Sequence, residues 1–341
     1  MQPETPLPTD PVTTKTKAPK TLKSRLFSLF RFVFVVCLLG FLIQKIDLEN
    51  LRGVVNNIEH HYFFLVFLLW GMEATVRAYN WGLLLRCKGV RVPFRQIFYA
   101  YITGSFFGYF VPSSFGTDVS RFIALSKQTT IRMADAAVSV VALNVVSLLS
   151  LAATVSISAL VLMLYMDETL ILALVSLGAF SGIVTFCLLF HYRNALKAKF
   201  PVKGKLAKPV GKFWSMVDAF SVFEQHYKLL TKVLGLTFVI QIIATLIVYS
   251  IALAVQSDIH ILFIFLFMPI IAISRLIPLS IANLGAEQGI FVFLFALVGV
   301  PEAETFTISV LLSTSAMLFI LFGGVVYLVC EPRIAASRRT G

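Results

Sequence analysis

Charged residues are scarce in this sequence. Asp, Glu, Lys and Arg make up 13% of its 341 residues, 58% are hydrophobic, and the mean hydropathy is +0.88. Soluble globular proteins carry about a quarter charged residues and about half apolar ones. The apolar runs are too long for signal peptides or buried core helices, and the alternating pattern of a membrane β-barrel is missing. The composition therefore excludes a soluble protein and predicts an α-helical integral membrane protein.

Cysteine and histidine are also sparse, and none is placed for metal binding or catalysis. The four cysteines are far apart, lie in or beside apolar segments, and have neither metal-site nor redox spacing. The five histidines form no HExxH pair or similar ligand motif, and no glycine-rich run has the context of a nucleotide-binding loop. No nucleophile has a base and an orienting group close to it in sequence. We therefore expect no metal, no cofactor and no enzymatic activity.

Most of the charge is positive, with a net value of +12. The basic residues are confined to a few loops between apolar runs. This distribution is typical of cytoplasmic loops in a membrane protein and argues against nucleic-acid binding. We assign four regions: a disordered cytoplasmic tail at 1–20, the membrane domain at 21–332, a basic cytoplasmic loop at 191–228 and a second cytoplasmic tail at 333–341. Both termini are thus expected in the cytoplasm.

Six apolar stretches are long enough to cross a bilayer, which takes about 20 residues. They occupy residues 26–46, 62–86, 135–163, 169–190, 231–255 and 305–330. Two further apolar regions are interrupted by polar residues: 96–127 contains PSSFGTDVSR, and 261–300 contains PLSIANLGAEQG. Basic residues flank the first and acidic residues flank the second, so each should enter and leave the membrane on one side. We predict an all-α polytopic fold of about six transmembrane helices and two re-entrant hairpins.

The two interrupted regions occupy matching places in an internal repeat. Units 62–163 and 231–330 each consist of span, hairpin and span, and the second is the first turned upside down. The interruptions align as Pro112 with Pro278, Ser114 with Ser280, Gly116 with Gly285, and Asp118 with Glu287. Inverted repeats with broken helices indicate a transporter whose site lies near the membrane midplane. Helix N-termini at such breaks favour an anionic group.

Charged residues within the apolar segments are candidates for the site, because such charges are costly and usually face a cavity or a partner. Arg121 follows Asp118 by three residues. The two either form a phosphate site, or make an intrahelical ion pair in which Asp118 also caps the helix. Glu73 and Arg77 share a helix face and either line the pathway or form a structural pair, with Arg77 reaching toward the cytoplasm.

The second break supplies a similar set of residues. Arg275 precedes the proline of that break and either faces the cavity or pairs with Glu287. Glu287 alternatively compensates the dipole of the last helical arm. Ser114 and Ser280, one at each break, complete the predicted binding site. The glycine pairs in GSFFG (104–108) and GAFSG (178–182) are predicted to be helix contacts rather than binding sites.

Both breaks resemble signature regions of the membrane domain of bacterial lysylphosphatidylglycerol synthases and of stand-alone proteins related to it. The first signature is a proline, a small polar stretch, a glycine, an aspartate and an arginine three residues on, which corresponds to Pro112, Gly116, Asp118 and Arg121. The second is a proline, a spacer and Gly-Leu-Gly-Val-Arg-Glu-Gly, where this chain has NLGAEQG at 283–289. Here Glu287 and Gln288 replace the Arg-Glu of the family, and Arg275 is the candidate substitute for the missing arginine.

The resemblance covers about residues 20–332 and implies a flippase-like protein of the inner (plasma) membrane. It implies movement of a lipid with an anionic or phosphate-bearing head group, of the anionic phospholipid or polyprenyl-phosphate type. The family's C-terminal aminoacyl-transfer domain has no counterpart in the sequence, so we expect no synthesis of aminoacyl lipid. Two other functions stay open. One is a non-transporting subunit that presents lipid to a separate lipid-modifying enzyme; the other is a membrane-embedded transferase with Asp118 as its acid or base.

Overall fold

The structure is a computed structural model of the chain. The residues that it describes are 60–87, 89–110, 116–129, 131, 133–164, 169–195, 227–274 and 286–337. The predicted tail at 1–20, the first span at 26–46, most of the basic loop and the centre of the second hairpin lie outside these ranges.

Helices make up nearly all of the described residues, with short connections between them. They are α1 (His60–Cys87), α2 (Phe94–Tyr109), α3 (Gly116–Gln128), α4 (Met133–Leu162), α5 (Thr169–His191), α6 (Tyr227–Ala254), α7 (Ile261–Ser274), α8 (Ala286–Ala296) and α9 (Glu302–Ser337). The predicted all-α class is therefore confirmed. The predicted boundary at 332 between the membrane domain and the C-terminal tail falls inside α9.

Three of the described helices contain a segment that is long and apolar enough to cross a membrane by itself. These segments are Ala136–Leu162 in α4, Lys228–Ala254 in α6 and Glu302–Cys330 in α9. With 28 residues α1 is equally long, but Glu73 and Arg77 near its centre lower its hydropathy. The helices support a polytopic membrane protein, whereas the count of six spans and the two re-entrant hairpins stay predictions.

Glycines let α2 and α3 pack against each other in antiparallel directions. A Cβ atom added to Gly104 would lie only 2.5 Å from the Cα of Arg121, and one added to Gly108 would meet the backbone of Thr117 even more closely. Only a residue without a side chain permits this approach. The prediction that GSFFG is a helix contact is confirmed. Among the described residues no atom lies within 4 Å of a Cβ added to either glycine of GAFSG, so for that motif the helix contact stays a prediction.

A second glycine contact holds α9 against α2. A Cβ added to Gly323 would lie 2.8 Å from the carbonyl oxygen of Ile102, and one added to Gly324 would lie 2.7 Å from the ring of Phe106. The ring of Phe106 is fully buried as a result. Helix α2 is therefore fixed on two sides, by α3 and by α9, through contacts that tolerate no additional atoms.

Helix α1 is anchored by polar groups that reach across to its neighbours. The side-chain amide of Asn80 donates hydrogen bonds to the Val233 carbonyl (3.3 Å) and the Thr237 hydroxyl (3.2 Å) of α6. The indole N–H of Trp81 donates to the Ser139 hydroxyl of α4 at 2.9 Å. Interhelical hydrogen bonds of this kind supplement van der Waals packing where helices are surrounded by lipid.

The helices on either side of α5 make equivalent sets of contacts. Helix α1 packs against α6, α2 packs against α9, and α7 packs in the same way against α4. The pairs within each group also correspond, with α1–α2, α2–α3 and α3–α4 matching α6–α7, α7–α8 and α8–α9. If α1–α4 and α6–α9 exchange places, each of these packed pairs again coincides with a packed pair. The α1–α6 pair coincides with itself, and the α2–α9 pair coincides with the α7–α4 pair.

We predict that Gly108→Ala destabilises the protein. The added methyl group meets the backbone of Thr117, so α2 and α3 must separate, at a cost of about 1–3 kcal/mol. The midpoint of thermal denaturation in detergent should fall. Gly235→Ala on α6 is the control, because no described atom lies within 4 Å of its new Cβ, and its midpoint should be unchanged or higher. Equal midpoints for the two variants would contradict the close packing of α2 on α3.

Candidate functional site

A cavity of about 190 Å³ lies between α1, α2, α3 and α9. It is lined by Trp70, Glu73, Ala74, Arg77, Tyr101, Ile102, Ser105, Tyr109, Thr117, Arg121, Ala316, Phe319 and Ile320. Three of the predicted site residues, Glu73, Arg77 and Arg121, therefore face the same space although they come from two distant parts of the sequence. We call this space the charged cavity.

Arg121 is fixed in the charged cavity by contacts from α2 and from its own helix. Its Nε and Nη2 groups donate to the Ser105 hydroxyl at 3.2 and 3.0 Å, and Nη1 donates to Asp118 Oδ1 at 3.3 Å. The guanidinium carbon lies 4.0 Å from the centre of the Tyr101 ring, which is cation–π geometry. The close approach of α2 and α3 at Gly104 brings these groups within reach of one another.

Asp118 links α3 to α4 through its carboxylate. One oxygen pairs with Arg121, and the other accepts a hydrogen bond from the side-chain amide of Asn144 on α4. Asp118 also lies in the first turn of α3, where a negative charge is favoured by the helix dipole. It does not line the charged cavity, so its contacts identify it as a residue that positions Arg121 and ties α3 to α4.

Glu73 and Arg77 form the second charged pair, one helical turn apart on α1. The Nε and Nη2 groups of Arg77 both donate to Glu73 Oε1, with a distance of 2.8 Å for Nε. Glu73 is only 5% exposed, and its Oε2 has no hydrogen-bond partner among the described residues. A buried carboxylate oxygen without a donor is costly. Glu73, which lines the charged cavity, therefore has one buried acceptor that no described residue satisfies.

The cavity lining presents more guanidinium groups than carboxylates. Two guanidinium groups, from Arg77 and Arg121, face it together with one carboxylate, from Glu73. Each guanidinium is paired, Arg77 with Glu73 and Arg121 with Asp118, so the four charges sum to zero. Because Asp118 lies outside the lining, the surface that a ligand meets is suited to an anionic group.

Glu287, the predicted site residue of the second break that the structure describes, does not lie in this site. Glu287 lies in the first turn of α8 and is not among the residues that line the charged cavity. The remaining predicted residues of the breaks, apart from Gly116 at the start of α3, lie outside the described residues: Pro112, Ser114, Arg275, Pro278, Ser280 and Gly285. Their roles stay predictions.

Several lining residues were not predicted from the sequence, most importantly Tyr101 and Ser105. A signal for them was present, because both lie one helical turn apart beside the glycines of GSFFG. That motif identifies the face of α2 that meets α3, and any polar residue on this face lies near Arg121. Phe319 and Trp70 were also missed. Their rings stack with centroids 6.2 Å apart, and the Trp70 N–H donates to Ser315 on α9 at 3.2 Å.

The fold and the charged cavity define a helical membrane protein that holds ionised side chains away from lipid between its helices. No group of three potential metal ligands occurs among the described residues. The family model described as "Lysylphosphatidylglycerol synthase TM region" matches residues 28–324, and the chain belongs to this family. The resemblance seen at the two breaks is thereby confirmed. A comparison with curated proteins and another with solved structures found no match.

We predict that Arg77→Met destabilises the protein and that adding Glu73→Gln restores most of the loss. The single change leaves the buried Glu73 carboxylate unpaired, at a cost on the order of 2 kcal/mol, reduced because the Arg77 side chain is 39% exposed. Thermal denaturation in detergent measures both effects. A double variant that is as unstable as the two single variants combined would show that the residues stabilise the fold independently.

Proposed function

We propose that this protein is a lipid transporter of the inner (plasma) membrane that moves a phosphate-bearing lipid from one leaflet to the other. Both termini lie in the cytoplasm in this proposal. The observation that carries it is the charged cavity, in which Arg77 and Arg121 are held inside the helical bundle of a family whose membrane region is linked to lipid handling. A lipid head group crosses through such a cavity, while its chains stay in the bilayer.

The geometry of Arg121 suits a phosphate group. A guanidinium has five N–H donors in a planar fork that matches the oxygens of a phosphate. Within the described residues, three hydrogen bonds join Arg121 to Ser105 and Asp118, which leaves two N–H groups for a ligand. Because these contacts fix the guanidinium before binding, little side-chain entropy is lost when a phosphate arrives.

The groups that line the cavity support the same ligand. A phosphodiester carries one negative charge and meets two guanidinium groups, from Arg77 and Arg121, but one carboxylate, from Glu73. In this proposal the unpartnered Oε2 of Glu73 accepts a hydrogen bond from a hydroxyl or other donor elsewhere on the head group. The cavity is therefore complementary to a phosphodiester with a neighbouring donor rather than to an isolated charge.

The equivalent packing of α1–α4 and α6–α9 supports transport over simple binding. Transporters built from inverted repeats open alternately to the two sides when one arrangement exchanges with its counterpart. Here α2 packs on α9 as α7 packs on α4. An alternative state in which the two halves exchange their arrangements therefore uses the same kinds of contacts. We infer that the predicted inverted units at 62–163 and 231–330 are the moving parts.

We predict that Arg121→Gln slows lipid movement by about tenfold or more, the effect expected from losing a charge-assisted hydrogen bond to phosphate. The measurement is the rate at which fluorescently labelled phosphatidylglycerol becomes accessible to dithionite in vesicles containing purified protein. Arg193→Gln is the matched control, since Arg193 lies outside the cavity and donates to the Phe190 carbonyl at the end of α5. Its rate should equal that of the unmodified protein.

Bound lipid gives a second readout from the same samples. Phosphate-bearing lipid should be enriched in purified protein relative to bulk membrane, and Arg121→Gln should abolish the enrichment while the denaturation midpoint is retained. If the unmodified protein enriches such a lipid but does not move it, the protein instead presents lipid to a separate enzyme. If the bound lipids match bulk membrane in every variant, the charged cavity is not a head-group site.

A further inference from the structure

An open apolar groove runs beside the charged cavity. It has a volume of about 550 Å³ and is lined by α1, α2 and α9, with Gly71 and Met72 of α1 facing Phe98 and Phe322. Neighbouring positions on α1 turn to different spaces, since Glu73 faces the cavity while Met72 faces the groove. The two spaces therefore lie side by side around one helix.

Phe319 of α9 is the shared wall, because its side chain lines both the charged cavity and the groove. Its ring stacks on that of Trp70 and meets Phe67 edge-on, with centroids 6.4 Å apart. The two spaces therefore meet at Phe319.

The groove opens toward the hydrocarbon of the membrane. Leu68 and Met72 are 52% and 48% exposed, and Phe322 on the opposite side is 49% exposed. Gly71 leaves open space in the groove, since no described atom lies within 4 Å of a Cβ added there. In a membrane protein such an exposed apolar surface meets acyl chains.

The sizes of the two spaces suit different parts of a lipid molecule. Sites for small molecules usually measure about 300–1,000 Å³. The charged cavity, at about 190 Å³, is smaller and has room for a head group alone, whereas the groove falls within that range. A lipid whose phosphate lies at Arg121 must place its chains outside the cavity, and the groove is adjacent to it.

We propose that the groove holds an acyl chain of the same phospholipid whose head group occupies the charged cavity, with Phe319 lying at the junction of head group and chain. This inference rests on the proposed function and assigns the substrate class more narrowly, as a phospholipid with a flexible acyl chain. Phe319 is a positioning residue. It keeps the phosphate from the hydrocarbon and the chain from the arginines.

The test uses phosphatidylglycerol that carries a photoactivatable diazirine on its acyl chain, reconstituted with the full-length protein. Illumination followed by mass spectrometry should label the groove, at residues such as Met72, Phe98 and Phe322. Gly71→Leu places a side chain in the groove without a clash and should lower this labelling by about tenfold, because the leucine replaces several methylene contacts. Gly235→Leu on α6, which also enters open space, should leave it unchanged.

A third variant tests whether one lipid molecule occupies both the charged cavity and the groove. Arg121→Gln should also lower labelling of the groove, although it lies in the cavity, because losing the head-group contact releases the chain. Labelling that persists in Arg121→Gln overturns the inference, since the groove then holds bulk lipid only. Labelling that is unaffected by Gly71→Leu overturns it as well.

The rate of lipid movement separates this inference from the proposed function. If Arg121→Gln slows movement but the groove is never labelled, transport stands and the acyl-chain site is wrong. If Gly71→Leu and Arg121→Gln both abolish labelling while the unmodified protein moves no lipid, the two-part lipid site stands and transport is wrong. The denaturation midpoint of each variant confirms that the comparison is made on folded protein.

Discussion

The close approach of α2 to α3 is the constraint on which the site depends. At Gly104 the two helices pass so near that an added methyl group would strike the backbone of Arg121. This places the guanidinium over Tyr101 and within hydrogen-bond distance of Ser105. A charge inside a membrane protein is tolerated only when neighbours replace its water. Two glycines and the groups next to them thus provide the environment that holds the Arg121 guanidinium.

A second feature is the composition of the cavity lining. Helix α1 contributes a carboxylate and a guanidinium from one face, and α9 closes the space through Phe319 and its stacking on Trp70. Asp118 pairs with Arg121 from outside the lining and is also held by Asn144. The lining therefore presents two guanidinium groups and one carboxylate, whose Oε2 has no hydrogen-bond partner among the described residues.

Most of the fold could be predicted from the sequence, because apolar runs of the right length leave few alternatives to helices in a membrane. Helix bounds agree within a few residues for α1, α4 and α6. The importance of Arg121, Glu73 and Arg77 was also predictable, since a charge in an apolar run is conspicuous. The sequence did not predict that these three residues line one cavity. Their proximity depends on the packing of α1 and α9 against the α2–α3 pair, which no local sequence pattern encodes. Ser105, Tyr101 and Phe319 were not predicted because residues of these types are common in membrane helices.

The two halves share a packing pattern but differ in their polar and charged residues. This difference determines which half supplies the charges of the cavity. At the second break the family pattern has an acid where this chain has Gln288, which is buried and donates to the Ser313 hydroxyl of α9 at 3.1 Å. That position is a helix contact here. The described charges of the cavity come from α1 and α3 of the first half, while the second half contributes apolar and small residues of α9. In the proposed transporter, a head group bound there therefore interacts chiefly with α1–α3 of the first half, and the site is not symmetric between the two halves.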